Sequence, residues 1–382
     1  MKPGWTTVAL GEVLASHRAG YWGRSAGSDE LDVLAIRNGD IREGEVRWGE
    51  LPTRSMSRAQ VEKARVRPGD SLITTSGDVG KVAHVFHEPR GVVCVTNFVR
   101  VLRPNERVLD PSYLYHYLST SFVKSAVVQN SRGSTMQNLS MKNFLSTTNI
   151  PLPPIDEQRR IAAILGVSLH SIGCRVRACV WIDDFLDNVY NSTLRSGDIR
   201  RRPIRSLGEV STGKTPATSK ADYFGGVIPF VAPGDLGGLV SAKRTLTELG
   251  AQESHLVRAG ATMVCCIGAT IGKVGIVAKQ SAFNQQINAI EWGPDVDDLY
   301  GYFTMRSQSD VVAARGSSTT MPILAKSKFE ELLIPVAPFE VQEEFARVAS
   351  SVSRVRSNLV AASEAERQLF ASLQSRAFRG EL

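Results

Sequence analysis

The sequence of 382 residues contains few of the residue patterns that are typical of cysteine chemistry, metal binding or nucleophilic catalysis. Its five cysteines include no Cys-X-X-Cys pair, so we expect free, largely buried thiols in a reducing cytosol. His84 and His87 stand without a cluster of further ligands, which argues against a zinc site. The motif His-Glu-X-X-His is missing, and so is the Asn-Pro-Pro-aromatic tetrapeptide of amino-methyltransferases. We therefore expect no catalytic residues and no metal.

Long apolar runs are missing as well. The first residues, Met1–Thr7, lack the apolar core of a signal sequence, and no stretch of 18 consecutive apolar residues occurs. A membrane-spanning helix needs about 20 predominantly apolar residues. We therefore expect no membrane segment and a cytoplasmic location. The apolar fraction of 42% and the charged fraction of 22% are typical of a globular protein, and the length suits two or three domains.

The net charge of +7 is unevenly distributed. Residues 1–150 contain 19 Lys and Arg against 14 Asp and Glu, whereas residues 203–335 contain 12 of each. An excess of positive charge is compatible with a polyanionic partner such as DNA, but composition alone does not identify one.

The chain contains an internal repeat. The segment Ile150-Pro-Leu-Pro-Pro-Ile-Asp-Glu-Gln158 resembles Ile334-Pro-Val-Ala-Pro-Phe-Glu-Val-Gln342, and each runs into a long apolar-periodic segment. A repeat of roughly 190 residues is too long for a solenoid unit and implies two similar domains, each followed by a similar helix. Five shorter matches keep the same order: Leu10–Val13 with Leu207–Val210, Gly39–Ile41 with Gly234–Leu236, Val66–Gly69 with Val257–Gly260, Gly80–Val82 with Gly272–Val274, and Arg132–Ser134 with Arg315–Ser317.

The repeat divides the chain into four predicted segments. They are a first domain (1–150), a first long helix (151–202), a second domain (203–335) and a second long helix (336–382). The first domain is predicted to contain a helix over Pro111–Gln129, with Leu114, Leu118 and Phe122 on one face. Its predicted strands are separated by Gly and Pro turns: Leu31–Arg37, Ser71–Thr75, Val82–Phe86 and Val92–Leu102.

The two long helices are predicted to form a coiled coil. The first runs from about Asp156, a candidate N-cap, to about Arg195, and the second from about Val341 to about Phe378. Apolar residues recur alternately four and three apart, the 3.5-residue period of a coiled-coil seam. The predicted seam positions are Ile161, Leu165, Ser168, Ile172, Arg175, Cys179, Ile182, Leu186, Val189 and Thr193, and then Phe345, Val348, Val352, Val355, Leu359, Ala362, Glu366, Leu369 and Leu373. Among them Ser168, Arg175 and Glu366 interrupt the apolar pattern.

Connectivity predicts an antiparallel pair, because the second helix packs on the first most easily by running back from the second domain. The expected fold class is α+β, with two similar globular α/β domains at the ends of an antiparallel coiled coil. The alternative is a pair of ordinary amphipathic helices on independent domains.

One motif imitates a nucleotide-binding loop. Residues Gly208–Thr215 fit Gly-X-X-X-X-Gly-Lys-Ser/Thr letter for letter. A phosphate-binding loop needs a buried strand before it, but Arg200–Arg205 is a poor one, and Pro216 follows where a helix should open. The matching segment Gly11–Ser16 has no Gly-Lys-Ser/Thr. Nucleotide binding is not expected, and an ATP-using enzyme remains only a third hypothesis.

The polar loops are better candidates for contact with a ligand. Gly133-Ser-Thr-Met-Gln-Asn138 and Gly316-Ser-Ser-Thr-Thr320 each close a domain, and their hydroxyls, amides and backbone N–H groups suit phosphates or base edges. The alternative for any one residue is a solvated turn. The candidate DNA-binding residues are Arg37, Asn38, Lys81, Asn97, Gly133, Ser134, Thr135, Gln137, Lys214, Thr215, Lys273, Gly316, Ser317, Ser318 and Thr319.

At these residues the chain resembles the specificity subunits of type I restriction–modification systems. Thr215-Pro216 followed by Tyr223-Phe-Gly-Gly-Val-Ile-Pro-Phe-Val-Ala-Pro-Gly-Asp235-Leu236 is similar to the opening of that family's target recognition domains. The repeated Pro–Glu–Gln approach to each helix is the most specific part of the resemblance. The ending Ala377-Phe-Arg-Gly-Glu-Leu382 is also similar.

The resemblance implies a non-catalytic subunit that binds double-stranded DNA. Each recognition domain would read one half of a split target, and the helices would set the spacer between the halves. Two modification (methyltransferase) subunits would dock on the helices and use S-adenosylmethionine, so this chain itself would bind no cofactor. Restriction (translocase-nuclease) subunits would complete the endonuclease. The alternative function is a scaffold for two protein partners without DNA readout.

The chain departs from the family pattern in two places. Ala232 stands where a basic residue is common, whereas Arg37 occupies the equivalent position in the first half, so a phosphate contact at Ala232 is not expected. The segment Ala15–Ser28 lacks the Thr-Pro signature, which suggests a differently built target face in the first domain.

Overall fold

The computed structural model describes residues 4–133, 137–195, 198–316 and 322–382. Within it the chain divides into two units. Unit 1 comprises Met1–Arg175 and Ala362–Leu382, and unit 2 comprises Val176–Ala361. Each long helix therefore contributes one part to unit 1 and one part to unit 2.

Unit 1 is built from short strands in small sheets. Its strands are β1 (Thr6–Ala9), β2 (Leu14–Ala19), β3 (Leu31–Ile36), β4 (Ile41–Arg42), β5 (Glu45–Val46), β6 (Thr53–Met56), β7 (Ser71–Thr74), β8 (Val82–His84), β9 (Val93–Val95), β10 (Val99–Pro104), β11 (Ser131–Arg132), β12 (Asn138–Leu139) and β13 (Asn149–Leu152). The main sheet has the order β2-β10-β7-β8, and a second sheet has the order β6-β3-β9. Strand β1 pairs with β13, β4 with β5 and β11 with β12.

The helices of unit 1 are α1 (Arg58–Ala64), α2 (Pro111–Leu118), α3 (Ser121–Gln129), α4 (Met141–Thr147) and the first part of α5 (Ile155–Thr193). The single helix predicted over Pro111–Gln129 was wrong, because Thr120 adopts an extended backbone and caps α3 by accepting from the backbone N–H of Val123. The single strand predicted over Val92–Leu102 is likewise two strands, separated by a turn at residues 96–98.

Unit 2 repeats this architecture. Its strands are β14 (Arg200–Pro203), β15 (Gly208–Thr212), β16 (Phe224–Val231), β17 (Gly238–Leu239), β18 (Arg244–Leu246), β19 (Leu256–Val257), β20 (Thr262–Cys265), β21 (Val274–Ile276), β22 (Ser281–Phe283), β23 (Ile287–Trp292) and β24 (Leu333–Val336). Its helices are α6 (Glu248–Gln252), α7 (Asp298–Ser307), α8 (Ser309–Ala314), α9 (Lys326–Glu330), the last part of α5 and the first part of α10 (Phe339–Ala377).

The two units share one strand order. The main sheet of unit 2 has the order β15-β23-β20-β21-β17, and its second sheet has the order β18-β16-β22-β19. These match the unit 1 sheets strand for strand, with one extra strand at an edge of each. The second sheets contain the same parallel pair, β3 with β9 in unit 1 and β16 with β22 in unit 2. The internal repeat in the sequence is therefore a repeat of topology.

A buried glutamine explains why the Pro–Glu–Gln segment occurs twice. The Gln158 side chain is fully buried at the start of α5. Its amide nitrogen donates to the carbonyls of Val108 and Pro153, both at 2.9 Å, and its oxygen accepts from the backbone N–H of Asp110 at 2.9 Å. Three hydrogen bonds thus attach the helix to the domain that precedes it.

Gln342 does the same in unit 2. It is fully buried, and its amide nitrogen donates to Asp295 at 3.1 Å and Ala337 at 2.8 Å. Its oxygen accepts from the backbone N–H of Asp297 at 3.0 Å. Asp110 and Asp297 in turn cap the equivalent helices α2 and α7.

The long helices pack on each other inside each unit, and they run antiparallel. In unit 1 the early part of α5 packs with the last part of α10, and the shared core includes Ile161, Leu165, Phe370 and Leu373. Here Arg175 donates through Nε to Glu366 at 2.9 Å.

In unit 2 the last part of α5 packs with the early part of α10 through Leu186, Tyr190, Phe345 and Ala349. Arg356 on α10 forms a bidentate ion pair with Asp183 on α5, in which Nε and a terminal nitrogen lie 2.8 and 3.0 Å from the carboxylate oxygens.

About half of the predicted seam positions of α10 were wrong. Val348, Val355 and Leu369 are exposed, with 37%, 53% and 56% of their surface accessible. The positions one residue later, among them Ala349 and Ser363, are buried instead. The observed inner positions of α10 are Phe345, Ala349, Val352, Arg356, Leu359, Ser363, Glu366, Phe370, Leu373 and Ala377. They still alternate four and three apart, so the period was right and every second position was displaced by one.

The helix α5 meets the length and composition of a membrane span. It contains an 18-residue window with a mean hydropathy of 1.3, of which 11% is buried. One such helix is a weak indication, because long apolar helices of soluble proteins pass the same test. Ile161, Leu165, Ile172, Leu186 and Thr193 are buried as the predicted seam of α5 requires, whereas Gln158, Ala162 and Tyr190 are buried at positions outside that seam. Asp156 lies in the first turn of α5, so the helix begins at Ile155 and Asp156 is not its N-cap.

Candidate nucleic-acid interface

Polar loops of unit 1 meet at one end of its sheets. The backbone N–H of Thr96 donates to Ile36 at 2.9 Å, and that of Thr75 donates to Phe98 at 2.8 Å. The backbone N–H of Gly77 donates to Gln137 at 3.0 Å. These bonds join the segments that follow β3, β7 and β9 to the segment before β12. We call the resulting surface the unit 1 edge; it comprises Asn38, Ser76, Asn97, Gln137 and Asn138.

The side chains of the unit 1 edge are mostly amides. The Asn38 amide donates to the carbonyl of Ser76, and the Ser76 hydroxyl donates to Asn138. Asn97 and Gln137 are exposed. The Asn38 side-chain oxygen is buried without a hydrogen-bond partner. Amides present a donor and an acceptor side by side, which is the pattern required to bind a base edge.

Two basic side chains lie next to this edge, and both have acidic neighbours. Arg37 donates through Nε and a terminal nitrogen to Asp40 at 3.0 and 2.9 Å, and its side chain remains 44% exposed. These hydrogen bonds raise the pKa of the guanidinium above its ordinary value. Lys81 lies 2.6 Å from Asp78. Both cations are therefore oriented before any ligand arrives.

Unit 2 builds the same surface with equivalent backbone bonds. The backbone N–H of Asn284 donates to Val231 at 2.9 Å, that of Cys266 to Gln286 at 2.8 Å, and that of Gly268 to Pro322 at 2.9 Å. Each bond has its counterpart in unit 1 at the same place in the topology. We call this surface the unit 2 edge; it comprises Thr215, Gly268, Asn284, Gln285 and Pro322.

The side chains of the unit 2 edge differ from those of unit 1. Thr215 accepts from the Asn284 amide at 3.0 Å and donates to Gln285. Lys214 lies 3.6 Å from Glu253, and Lys273 is exposed after the turn that precedes β21. One backbone framework thus carries two different sets of side chains.

A glycine in each unit permits the first loop to approach the edge. A Cβ atom on Gly20 would lie 1.8 Å from the Val95 carbonyl oxygen, and one on Gly213 would lie 2.3 Å from the Asn284 carbonyl oxygen. Both distances are far below van der Waals contact, so neither position accepts a side chain without a shift of the backbone. Gly213 is therefore explained by close packing, without reference to nucleotide binding.

The apparent nucleotide-binding motif has the wrong structure for phosphate binding. Residues 208–212 form strand β15 itself, and residues 213–217 follow as an extended loop with no helix at Lys214.

None of the five cysteines, which all lie within the described residues, forms a disulfide; Cys94, Cys265 and Cys266 are buried, and Cys174 is exposed. Among the described residues no group of three His, Cys, Asp or Glu is arranged to hold a metal ion.

The structure brings several predicted contact residues together. Asn38, Asn97 and Gln137 share the unit 1 edge, with Arg37 and Lys81 beside it, and Thr215 belongs to the unit 2 edge with Lys214 beside it. Gly133 and Gly316 end the described segments next to these edges. Ser134, Thr135, Ser317, Ser318 and Thr319 lie outside the described residues.

Sequence reasoning missed Ser76, Asn284 and Gln285, and it included Asn138 in a candidate contact loop without naming it as a contact residue. The repeat could have located them, because Ser76 directly precedes Gly77, which corresponds to Gly268. Asn284 likewise precedes β23 just as Thr96 precedes β10. Asn284 and Thr96 occupy matching turns, but only Asn284 carries an amide, so the repeat alone does not single out this position.

Comparisons with known proteins agree with this geometry. The sequence pattern of the type I restriction modification DNA specificity domain matches residues 3–168 and again residues 198–366. The chain is 28% identical over 178 residues to the MjaIX specificity subunit of Methanocaldococcus jannaschii, which covers 44% of this chain and 41% of that protein. It is 27% identical over 162 residues to the EcoBI specificity subunit of Escherichia coli, covering 41% of this chain and 33% of that protein. These alignments thus span less than half the length of either relative.

Solved structures share the fold over nearly the whole chain. The S subunit of a type I restriction–modification system from M. genitalium superposes with a TM-score of 0.65 at 13% identity, covering 98% of this chain and 96% of that one. A chain from a study of assembly and conformational transition of the type I system superposes with a TM-score of 0.52 at 18% identity, covering 100% and 99%. With two copies of the specificity domain matched over most of its length, the chain belongs to the type I restriction modification DNA specificity family.

Proposed function

We propose that this chain is the non-catalytic DNA specificity subunit of a type I restriction–modification complex. Each unit edge reads one half of a bipartite target in double-stranded DNA. The paired helices α5 and α10 set the length of the unread spacer and dock two methyltransferase subunits. Those subunits supply S-adenosylmethionine and methylate adenine, and translocase-nuclease subunits complete the endonuclease.

The observation that carries the proposal is one backbone framework with two sets of side chains. Corresponding hydrogen bonds hold both edges, yet Asn38, Ser76 and Asn97 of unit 1 correspond to Pro233, Ile267 and Gln285 of unit 2. A structural role would favour similar residues at both edges. Different residues on a constant framework suit two modules that read different sequences.

The chemistry of the edges suits base readout with phosphate contacts around it. An Asn or Gln amide forms paired hydrogen bonds with adenine in the major groove. Asn97 and Gln285 occupy matching turns in the two units, between β9 and β10 and between β22 and β23. Arg37, Lys81 and Lys273 supply cations for the phosphate backbone.

Exposed aromatic side chains on α5 support the docking part of the proposal. Within unit 2, Trp181 is 71% exposed and Phe185, one turn later, is 49% exposed. Val180 beside them is 53% exposed. Large apolar side chains gathered on one helix are stabilised by burial against another protein, since each buried CH₂ contributes about 0.8 kcal/mol.

DNA reading is tested by selection from a randomised duplex library, using this chain in complex with its cognate modification subunit. We expect a split consensus and a logarithm of affinity that falls linearly with the logarithm of salt concentration. Retention without any consensus, insensitive to salt, would instead favour a scaffold for two protein partners.

The assignment of one half-site to each unit is tested by a matched pair of variants, Asn97→Ala and Gln285→Ala. Each should relax one position of one half-site and leave the other half unchanged, at a cost of about 1 to 3 kcal/mol for the preferred base. Variants that both alter the same half-site would contradict the assignment.

The role of the helices as a spacer is tested by deleting one heptad from each, residues 176–182 together with 358–364. This deletion leaves the pairs Arg175–Glu366 and Asp183–Arg356 in place. Seven residues of helix span about 10 Å, which corresponds to about three base pairs, so the spacer should shorten while both half-sites persist. A changed half-site with an unchanged spacer would refute the role.

A further inference from the structure

The geometry points to Trp22 as a specificity-determining contact of unit 1 that recognises a thymine methyl group in the first half-site. This inference rests on the proposed function, since it names what one residue of the unit 1 edge reads. The matching position in unit 2 is Thr215, which follows Gly213 at the same distance as Trp22 follows Gly20.

Trp22 is fixed beside the unit 1 edge by its backbone neighbours. Gly20 packs against the Val95 and Thr96 carbonyls, and the backbone N–H of Tyr21 donates to Val95 at 3.1 Å. On the other side the backbone N–H of Arg24 donates to Ser55 at 2.9 Å. The chain is therefore tied down on both sides of Trp22, which lies next to the turn that carries Asn97.

The indole is held in place yet remains open to solvent. Its ring lies edge-to-face with Phe98, with centroids 6.1 Å apart, and the Arg54 guanidinium lies 5.4 Å from the ring centroid. Even so, 48% of Trp22 is exposed. An aromatic ring that is ordered before binding loses little conformational entropy when a ligand covers it.

The mode of contact follows from what covers the ring. Arg54 occupies one face and Phe98 one side, so the ring is not free to be sandwiched between two base pairs. Nearly half of Trp22 remains exposed, and its partner Phe98 belongs to the turn that carries Asn97. In the major groove the apolar feature that distinguishes one base from the others is the C5-methyl of thymine. The neighbouring Arg54 places a positive charge near the phosphates at the same step.

The experiment replaces each thymine of the first half-site in turn by deoxyuridine, which removes the methyl group and leaves the hydrogen-bonding edges unchanged. Affinity is measured for the complete complex with wild-type chain and with Trp22→Ala. At one position the wild type should lose about fourfold in affinity, a change comparable to one buried methyl group. Trp22→Ala should lose a similar factor on thymine DNA and show no further loss on deoxyuridine DNA.

A matched control is Phe122→Ala in α3. Phe122 is 57% exposed and lies beside Tyr117, whose hydroxyl bonds Asn149, away from the unit 1 edge. This variant should retain the wild-type response to deoxyuridine. Replacement of thymines in the second half-site should affect wild type and Trp22→Ala alike.

Two results would overturn the inference. One is a first half-site with no thymine on either strand. The other is a Trp22→Ala complex that discriminates thymine from deoxyuridine as the wild type does at every position. Both leave the proposed function intact, because each presupposes sequence-specific binding. A wild-type complex with no sequence preference would count against the proposed function itself.

Discussion

Arg175 and Glu366 pair across the two long helices of unit 1, with Nε and the carboxylate oxygen 2.9 Å apart. The Ser171 hydroxyl donates to the same oxygen at 3.1 Å. The sequence pattern identifies both charged residues as interruptions of an apolar seam, and the structure joins them into one polar layer. A polar layer of this kind fixes the register of two helices, because any slip leaves a partly buried charge without its partner.

Removal of one partner should therefore destabilise the chain more than removal of both. We expect Glu366→Ala to lower the free energy of unfolding by about 2 kcal/mol, because it leaves the two-thirds-buried guanidinium of Arg175 without its carboxylate partner. The double variant Arg175→Leu, Glu366→Leu should recover most of that loss. Chemical denaturation of the wild type, of Arg175→Leu and Glu366→Leu singly, and of the double variant measures the coupling. Additive effects of the two single substitutions would contradict the pairing.

The buried glutamines should be equally important in the two units. Gln158 and Gln342 each make three hydrogen bonds of 2.8 to 3.1 Å with no exposed surface. Each substitution by alanine leaves buried backbone groups without partners, so we expect a loss of about 3 kcal/mol from either. The control Gln368→Ala, on the exposed side of α10, should change stability by less than about 0.5 kcal/mol. Calorimetric unfolding that distinguishes Gln158→Ala from Gln342→Ala by several kcal/mol would refute their equivalence.

Glycines at the close approaches should not tolerate a methyl group. Gly20→Ala and Gly213→Ala place a Cβ atom within 1.8 and 2.3 Å of a carbonyl oxygen, so each should destabilise its unit by about 1 to 3 kcal/mol. Gly39→Ala and Gly234→Ala serve as controls, because no heavy atom lies within 4 Å of a Cβ built there. Thermal unfolding of the four variants checks the contrast, which disappears if the loops accommodate all four methyl groups alike.

Two buried histidines predict a pH-dependent stability of the chain. Burial lowers the pKa of His84 to about 4 and that of His116 to about 4, and the nearby His84 adds to the effect at His116. The folded state therefore binds fewer protons than the unfolded state between pH 4 and the ordinary histidine pKa of about 6.5. The stabilisation is complete above pH 6.5 and is lost as the pH falls towards 4, by roughly 2 to 3 kcal/mol for each residue.

The double variant His84→Gln, His116→Gln isolates this contribution. Carboxylates titrate in the same range, but they are common to both chains and cancel in the comparison. We expect the stability of the wild type to fall more steeply than that of the variant between pH 6.5 and 4. Parallel unfolding curves over that range would show that the histidines are not responsible.

Much of the fold follows from local pattern. The repeat, the 3.5-residue period and the Pro–Glu–Gln segments predict two like domains and two long helices, because these features depend on residues near each other in the chain. The α10 phase was displaced because Val348 and Val355 are more apolar than Ala349 and Arg356, which are the residues that face inward. What decides the phase is the partner helix: Arg356 turns inward because Asp183 is there to receive it.

The candidate interface was less predictable than the fold. Asn38 and Asn97 lie 59 residues apart in the sequence, and Asn97 and Gln137 lie 40 residues apart, so they meet only through backbone bonds between loops. Trp22 lies in a segment whose sequence lacks the expected Thr-Pro signature, so its place beside Phe98 was visible only in the structure.

Under the proposed function, this chain directs adenine methylation to one split DNA target. The most direct test of this role is long-read methylation sequencing of host DNA when this chain is co-expressed with its cognate modification subunit. We expect a single bipartite motif with a fixed spacer, methylated on adenine and absent when this chain is omitted. An assembled complex that produces no new motif would refute the proposed function.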